Sequence, residues 1–221
     1  MALLTPTYNL DKYPEVYDPR EDTFLLLDAL EMEAGFLSKF NPTVVVEVGS
    51  GSGIVIAALA VMLRKSCLCM STDINFTACQ ATKNTSILND VSIECMAMDL
   101  LTCFKRKVFD VVVFNPPYVV TESEEITGHG LNRAWAGGKH GCEIINRLVF
   151  DLPDMLSDRG VCYMVLLKEN KPEEIVEVMK LLCFVSEIVV QRRIPGEHLN
   201  TELIFFLDTV WPTKLAFSGE D

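Results

Sequence analysis

The chain has 221 residues, 49% hydrophobic and 23% charged, which excludes a chain dominated by disorder and favours one compact domain over two. Its formal net charge of −12 argues against a nucleic-acid backbone as partner, since that affinity rests on Lys and Arg neutralising phosphates, and suits a basic protein instead. The opening residues lack the pattern of a signal peptide, and no apolar run approaches the roughly 18 residues of a membrane helix.

In chain order, Tyr17-Asp18-Pro19-Arg20-Glu21-Asp22-Thr23 reads as a helix start, with Asp18 as N-cap, Pro19 at the first helical position and Glu21 completing a capping box. Phe24 to Leu30 supplies an apolar helical face. From Thr43 onward β-rich runs alternate with helical patterns: strand 43–48, helix 54–64, strand 67–72, helix 76–88, strand 91–98 and strand 108–114. A helix over 143–156, a strand over 160–167 and a helix over 172–182 follow. Two terminal strands, 184–190 and 202–207, have only the Pro195-Gly196 turn signal between them and are expected to pair antiparallel. This rhythm indicates a mainly parallel α/β sheet with helices on both faces, in a single domain: 1–42 an extension with a helix, 43–208 the core, 209–221 a tail. The eight scattered cysteines form no Cys-x-x-Cys pair and read as reduced thiols, so the expected compartment is the cytosol, with the nucleus as an alternative. The basic runs at 105–107 and 191–193 read as solvated loops.

Val44-Val45-Val46 leads into Glu47-Val48-Gly49-Ser50-Gly51-Ser52-Gly53 and then a helical pattern, the strand, tight turn and helix start that lets backbone approach a nucleotide-like ligand. The dinucleotide spacing fails because position 54 is Ile54, and a hydrolase elbow is absent. Asp73 ends the next strand where a ribose-binding acid belongs. Asp99 closes the third strand pattern and Asn115 the fourth, so Glu47, Asp73, Asp99 and Asn115 are expected at one edge of the sheet.

Pro116-Pro117 must end the strand before them, since proline lacks the backbone donor and holds the preceding residue extended. Strand termination alone leaves unexplained an amide directly before the prolines and an aromatic directly after them. In Asn115-Pro116-Pro117-Tyr118, the Asn115 side-chain oxygen and the Pro116 carbonyl can accept the two hydrogens of a planar NH2 group while Tyr118 stacks on its plane.

On these residues, with Ala134-Trp135-Ala136-Gly137-Gly138 and Tyr17 to Thr23, the chain resembles class I methyltransferases bearing Asn-Pro-Pro-Tyr. Among them it is most similar to the short eukaryotic branch of the HemK-type glutamine methyltransferases that modify translation release factors. The resemblance covers roughly Tyr17 to Leu207. It implies a Rossmann-like fold with a mainly parallel seven-stranded sheet and an antiparallel terminal strand, and S-adenosyl-L-methionine as cofactor. It also implies cofactor contacts from Thr23, Glu47, Gly49, Gly51, Gly53, Asp73, Asp99, Leu100 and Asn115. Asn115, Pro116, Pro117 and Tyr118 would receive the amide, with Asn115, Pro116 and Tyr118 carrying the reaction. Trp135 reads either as core or as cleft lining. A basic residue is expected where the chain has Cys142, which leaves that position without a role.

The resemblance further implies a small zinc-binding activator subunit. Its physical motive is strand 91–98, apolar, weakly charged and at the sheet edge in the methyltransferase strand order, where a partner chain can pair with it; a local helix or loop covering the edge is the alternative. The expected substrate is the eukaryotic class 1 release factor. Three other readings stay open: lysine in a basic histone tail, for which the motif offers no obvious base; an adenine amino group, which the net charge disfavours; and a non-catalytic module, which would bind no cofactor. No metal site is expected, because His129, His140 and Cys142 match no common zinc spacing. Glu122-Ser123-Glu124-Glu125 reads as a solvated loop that can attract a basic segment.

Overall fold

The computed structural model describes residues 5–63, 67–127, 130–194 and 197–206. Among these residues seven strands form one sheet in the order β3-β2-β1-β4-β5-β7-β6, from β1 (Val44–Val48), β2 (Leu68–Asp73), β3 (Glu94–Ala97), β4 (Phe109–Phe114), β5 (Leu156–Leu167), β6 (Phe184–Ile194) and β7 (Glu197–Phe206). The first five run parallel; β7 enters antiparallel between β5 and β6, so the terminal hairpin forms as its turn signal suggests. Pro195 and Gly196 of that turn, His129, Leu207 and the 209–221 tail lie outside the described residues.

Among the described residues six α-helices accompany the sheet: α1 (Glu21–Met32), α2 (Ala34–Phe40), α3 (Ile54–Leu63), α4 (Phe76–Leu88), α5 (Glu143–Met155) and α6 (Pro172–Leu181). The chain steps one way through β1, α3, β2, α4 and β3 and the other way through β4, α5 and β5. Right-handed crossovers therefore place α3 and α4 on one face and α5 on the other. The reversal falls between β1 and β4, which makes the crevice at their C-terminal ends the natural ligand site. β1 and β4 are central and buried, and α3 is apolar on all sides because it packs on β1 and β2 and is flanked by α1, α2 and α4.

Three expectations change. The basic run 191–193, expected as a solvated loop between the terminal strands, lies within β6, where Arg192 pairs with Glu21 and Asp28 of α1. Helix α1 begins at Glu21, with extended Arg20 before it and no side-chain cap, so the Asp18 capping box does not form. Residues 17–20 are outside any helix, with Tyr17, Pro19 and Arg20 lining the crevice and Arg20 lying over the Tyr17 ring at 5.8 Å; the first i→i−4 bond is Phe24 N–H to Arg20 C=O. Strand β3 covers only four residues of the expected eight, since the preceding chain is still turning out of α4 through Asn89 and left-handed Asp90. Helix α2 had no sequence signal of its own: its seven residues are too few to show a period, and buried Leu37 and Phe40 hold it to the core.

Candidate active site

A cavity of about 670 Å³ opens along the C-terminal ends of β1 to β4. Thr23, Glu47, Gly49, Gly51, Asp73, Asp99, Leu100, the whole Asn115–Tyr118 turn and Trp135 all line it. Of the expected cofactor residues, Gly53 alone does not. It faces α4 instead, where a β-carbon would sit 2.7 Å from the Thr82 Cα; its role is to let α4 approach the loop.

The glycine loop turns tightly because Gly49, Gly51 and Gly53 all take positive φ, 64°, 51° and 77°. Ser50 N–H donates to Thr72 C=O at 3.1 Å and Gly53 N–H to Ser50 C=O at 2.7 Å, anchoring the loop between β1 and β2. Glu47 is buried under it and accepts from Ile56 N–H at 2.9 Å, in the first turn of α3. Burial pushes the Glu47 carboxyl well above the usual carboxylate range, the Ile56 bond pulls it back in part, and the Asp73 charge adds to the rise.

Asp73 accepts Gly51 N–H on Oδ2 at 3.0 Å and Asn75 N–H on Oδ1 at 2.8 Å. Each oxygen keeps a further lone pair for a diol. Burial raises this carboxyl, against the opposing pull of those bonds and of the Arg133 charge across the cavity. Asp99 lies just past β3, and its Oδ2 takes Arg147 Nη2 of α5 at 2.6 Å. Buried Leu100 follows with φ 49°.

Asn115 is the first residue after β4. Its Nδ2 donates to Asp22 Oδ2 at 2.8 Å, which fixes the amide orientation because a carboxylate only accepts. The other end, Oδ1, is buried with no hydrogen-bond partner. A buried acceptor left in that state costs about 1–3 kcal/mol, so an N–H donor is expected there.

The turn after Asn115 is held from behind. Asn170, buried past the end of β5, donates through Nδ2 to Tyr118 C=O at 2.8 Å and to His140 C=O at 3.2 Å, and accepts Leu167 N–H on Oδ1 at 2.8 Å. Gly141, at φ 67°, presses against the same Tyr118 carbonyl, and Gly137 leaves no room for a β-carbon beside the Pro117 carbonyl. Val119 N–H donates to Trp135 C=O at 2.9 Å, and Gly137 N–H returns to Val119 C=O at 2.8 Å, so Ala134 to Gly138 is laced onto the turn. Trp135 is half-buried and lines the cavity. Cys142, without a role in sequence, is the N-cap residue of α5; its thiol reaches the His140 and Asn170 carbonyls at 3.1 Å and serves the loop packing.

Asp22, Asn170 and Arg147 are the site residues that sequence reasoning missed. The one available signal was for Asp22, which directly precedes Thr23 but reads in sequence as an ordinary acid of a first helical turn.

The strand order, the reversed terminal hairpin and the cavity define a class I methyltransferase fold. Solved structures carry the same architecture: the Mtq2-Trm112 complex of E. cuniculi, which methylates the eRF1 translation termination factor, aligns at TM-score 0.67 and 28% identity over 87% of this chain and 99% of that one. A T. thermophilus 16S rRNA methyltransferase, solved with AdoMet and guanosine, shares the fold at TM-score 0.60 and 16% identity, over 86% of this chain and 44% of that one. The Methyltransferase small domain family matches residues 21–134. Methyltransferase HEMK2 of Homo sapiens is 48% identical over 85% of this chain and 88% of its own length; the eRF1 methyltransferase catalytic subunit mtq2 of Schizosaccharomyces pombe is 32% identical over 94% and 97%. The chain belongs to the HEMK2 family of methyltransferases.

Proposed function

We propose that this chain transfers a methyl group from S-adenosyl-L-methionine to the side-chain amide nitrogen of a glutamine in the eukaryotic class 1 release factor, as catalytic subunit of a heterodimer with a small zinc-binding activator. The observation that carries the reading is the Asn115 amide, pinned through Nδ2 by Asp22 with Oδ1 buried and unpartnered at the cavity. An acceptor so placed suits a planar NH2 group.

The residues present fit the cofactor. Gly51 lines the cavity with nothing within 4 Å of where a β-carbon would stand, so a ligand can approach the backbone there. Asp73 would hold a ribose diol on its remaining lone pairs, and Thr23, Glu47, Gly49, Asp99 and Leu100 would surround the rest. The cofactor supplies an activated methyl on a sulfonium. The chain's own residues orient the acceptor: Asn115 Oδ1 takes one amide hydrogen, the Pro116 carbonyl the other, and Tyr118 covers the plane. Hydrogen bonds to both N–H groups strengthen as the attacking nitrogen gains positive charge, so they favour the transition state over the ground state. No general base is needed, because the proton can leave after transfer. The −12 charge supports a basic protein substrate over nucleic acid, and a reducing compartment, cytosol or nucleus, suits the free cysteines.

The test offers labelled cofactor and release factor, histone or DNA to the chain with and without the activator. Label is expected in release factor alone, lost when its target glutamine is replaced, and reduced at least about 100-fold by Asn115→Ala with cofactor affinity changed far less. An Asn115→Ala protein as fast as the parent would overturn the site assignment; label in histone or DNA would overturn the substrate.

A further inference from the structure

The ligand-facing positions follow the order of the strands that carry them. Asp99 lies past β3, Asp73 ends β2, the glycine loop leaves β1 and Asn115 leaves β4, and these four strands are consecutive neighbours. A ligand laid across their ends meets the four in that order. With the acceptor at Asn115 and the ribose at Asp73, the purine of the cofactor would reach Asp99; this step rests on the cofactor site proposed above.

Asp99 does not face the cavity alone. Arg147, from the second turn of α5 on the other side of the crevice, bonds its Oδ2 at 2.6 Å, and both residues line the cavity. The pair is about half exposed, 46% for Arg147 and 45% for Asp99. An ion pair of that exposure contributes roughly 0–1 kcal/mol, so the fold gains little from it. The backbone at Asp99 is already held, because its carbonyl accepts Thr102 Oγ1 at 2.9 Å and Thr102 N–H at 3.3 Å. What remains free in the turn is the rotation of the Asp99 carboxylate, and that is what Arg147 removes.

We propose that Arg147 is a positioning residue that orients Asp99 so that its remaining oxygen, Oδ1, reads the 6-amino group of the purine and rejects a 6-oxo purine. The reason is the donor and acceptor inventory. An ionised carboxylate only accepts; a 6-amino group donates to it, whereas a 6-oxo group sets two acceptors against each other. Sites built on such a hydrogen bond discriminate strongly, because the mismatched ligand leaves desolvated groups unpaired. A carboxylate free to rotate could turn away from the wrong base; one oxygen clamped by a guanidinium cannot.

The test is binding, measured by calorimetry on the full chain with its activator, using S-adenosylhomocysteine and S-inosylhomocysteine, which differ at the 6-position. The parent is expected to prefer the adenosyl ligand by about 100-fold, and Arg147→Gln to reduce that preference to about 5-fold, mainly by weakening the adenosyl ligand. Asp99→Asn, whose amide can turn to donate, is expected to narrow the gap further by improving the inosyl ligand. Arg147→Gln that weakens both ligands equally, or neither, overturns the proposal while leaving the cofactor site standing. If the parent binds neither ligand, the cofactor reading itself falls, and the role of Arg147 with it.

Discussion

Gly51 and Gly53 both hold left-handed backbone, φ 51° and 77°, but the space beside them differs, and so should their substitutions. At Gly53 a β-carbon meets Thr82 Cα at 2.7 Å, so Gly53→Ala must push α4 off the loop as well as strain φ. A loss of about 3 kcal/mol of stability is expected by urea denaturation. At Gly51 nothing stands in the way, and Gly51→Ala should cost only the φ strain, about 1 kcal/mol. The added methyl enters the space left for the ligand, so cofactor affinity should fall at least about 10-fold by calorimetry. Equal effects on stability and affinity at both positions would show that the loop is purely structural. The glycine spacing and Asn115-Pro116-Pro117-Tyr118 were legible in sequence because each is local chemistry on consecutive residues. Asp22 was not, because its role exists only in a contact with Asn115 93 residues away, and Asn170 reaches Tyr118 across 52. Gly53 was assigned to the ligand because its spacing belongs to the loop, while its neighbour Thr82 comes from the next helix.

Strands and helices were legible where an apolar run ended at a turn residue or a glycine, as at β1, β2, α4 and β4, and were misjudged where the boundary is set by packing, as at β3 and the start of α1. Two buried carboxyls on the sheet show what such packing costs and gains, with opposite signs in pH. Asp110 of β4 accepts Thr43 N–H and Oγ1, Ser157 Oγ and Arg159 Nη2, tying β4 to the start of β1 and to β5. Arg159 also reaches the Phe40 and Asn41 carbonyls at the end of α2. Burial opposes ionisation of Asp110, yet those donors outweigh it and bring the group down to about 2. A depressed carboxyl contributes stability above its unfolded value and loses it as pH falls through the folded one. Asp110→Asn should therefore cost about 2 kcal/mol at neutral pH, with the difference from the parent closing between about pH 4 and pH 2. Glu202 of β7 is the reverse case. Buried, and facing the Glu173 charge, it is pushed up to about 7. The unfolded chain ionises first as pH rises, so stability is lost from about pH 4.5 and the penalty is complete above pH 7. Glu202→Gln should thus be more stable than the parent above pH 7, by about 2 kcal/mol, and indistinguishable from it below pH 4. Melting curves across pH check both signs; a gain from Glu202→Gln that persisted at pH 4 would show that packing, not charge, is responsible.

The sheet as a whole ends on one side at β3, and the direction of its backbone bonds decides how a second chain can join. Met98 N–H donates to Asp73 C=O at 2.9 Å, and parallel strands turn alternate residues to the same side, so Glu94, Met96 and Met98 face β2. Cys95 and Ala97 therefore turn their N–H and C=O groups outward, and no described strand pairs with them. Helix α4, which packs on β3, leaves Phe76 65% and Ile87 70% exposed, so apolar surface accompanies the open ladder. An edge with both properties is a hazard for a lone chain and a docking site for a partner strand. Proline separates the two functions of the backbone. Ala97→Pro deletes an outward donor while sparing every bond to β2, and should leave the melting temperature near that of the parent while weakening the proposed activator at least about 10-fold in calorimetry. Met96→Pro deletes an inward donor and should instead lower the melting temperature whether or not the activator is present. If Ala97→Pro binds the activator as tightly as the parent, the partner does not extend the sheet at β3, and the apolar residues of α4 become the surface to substitute next.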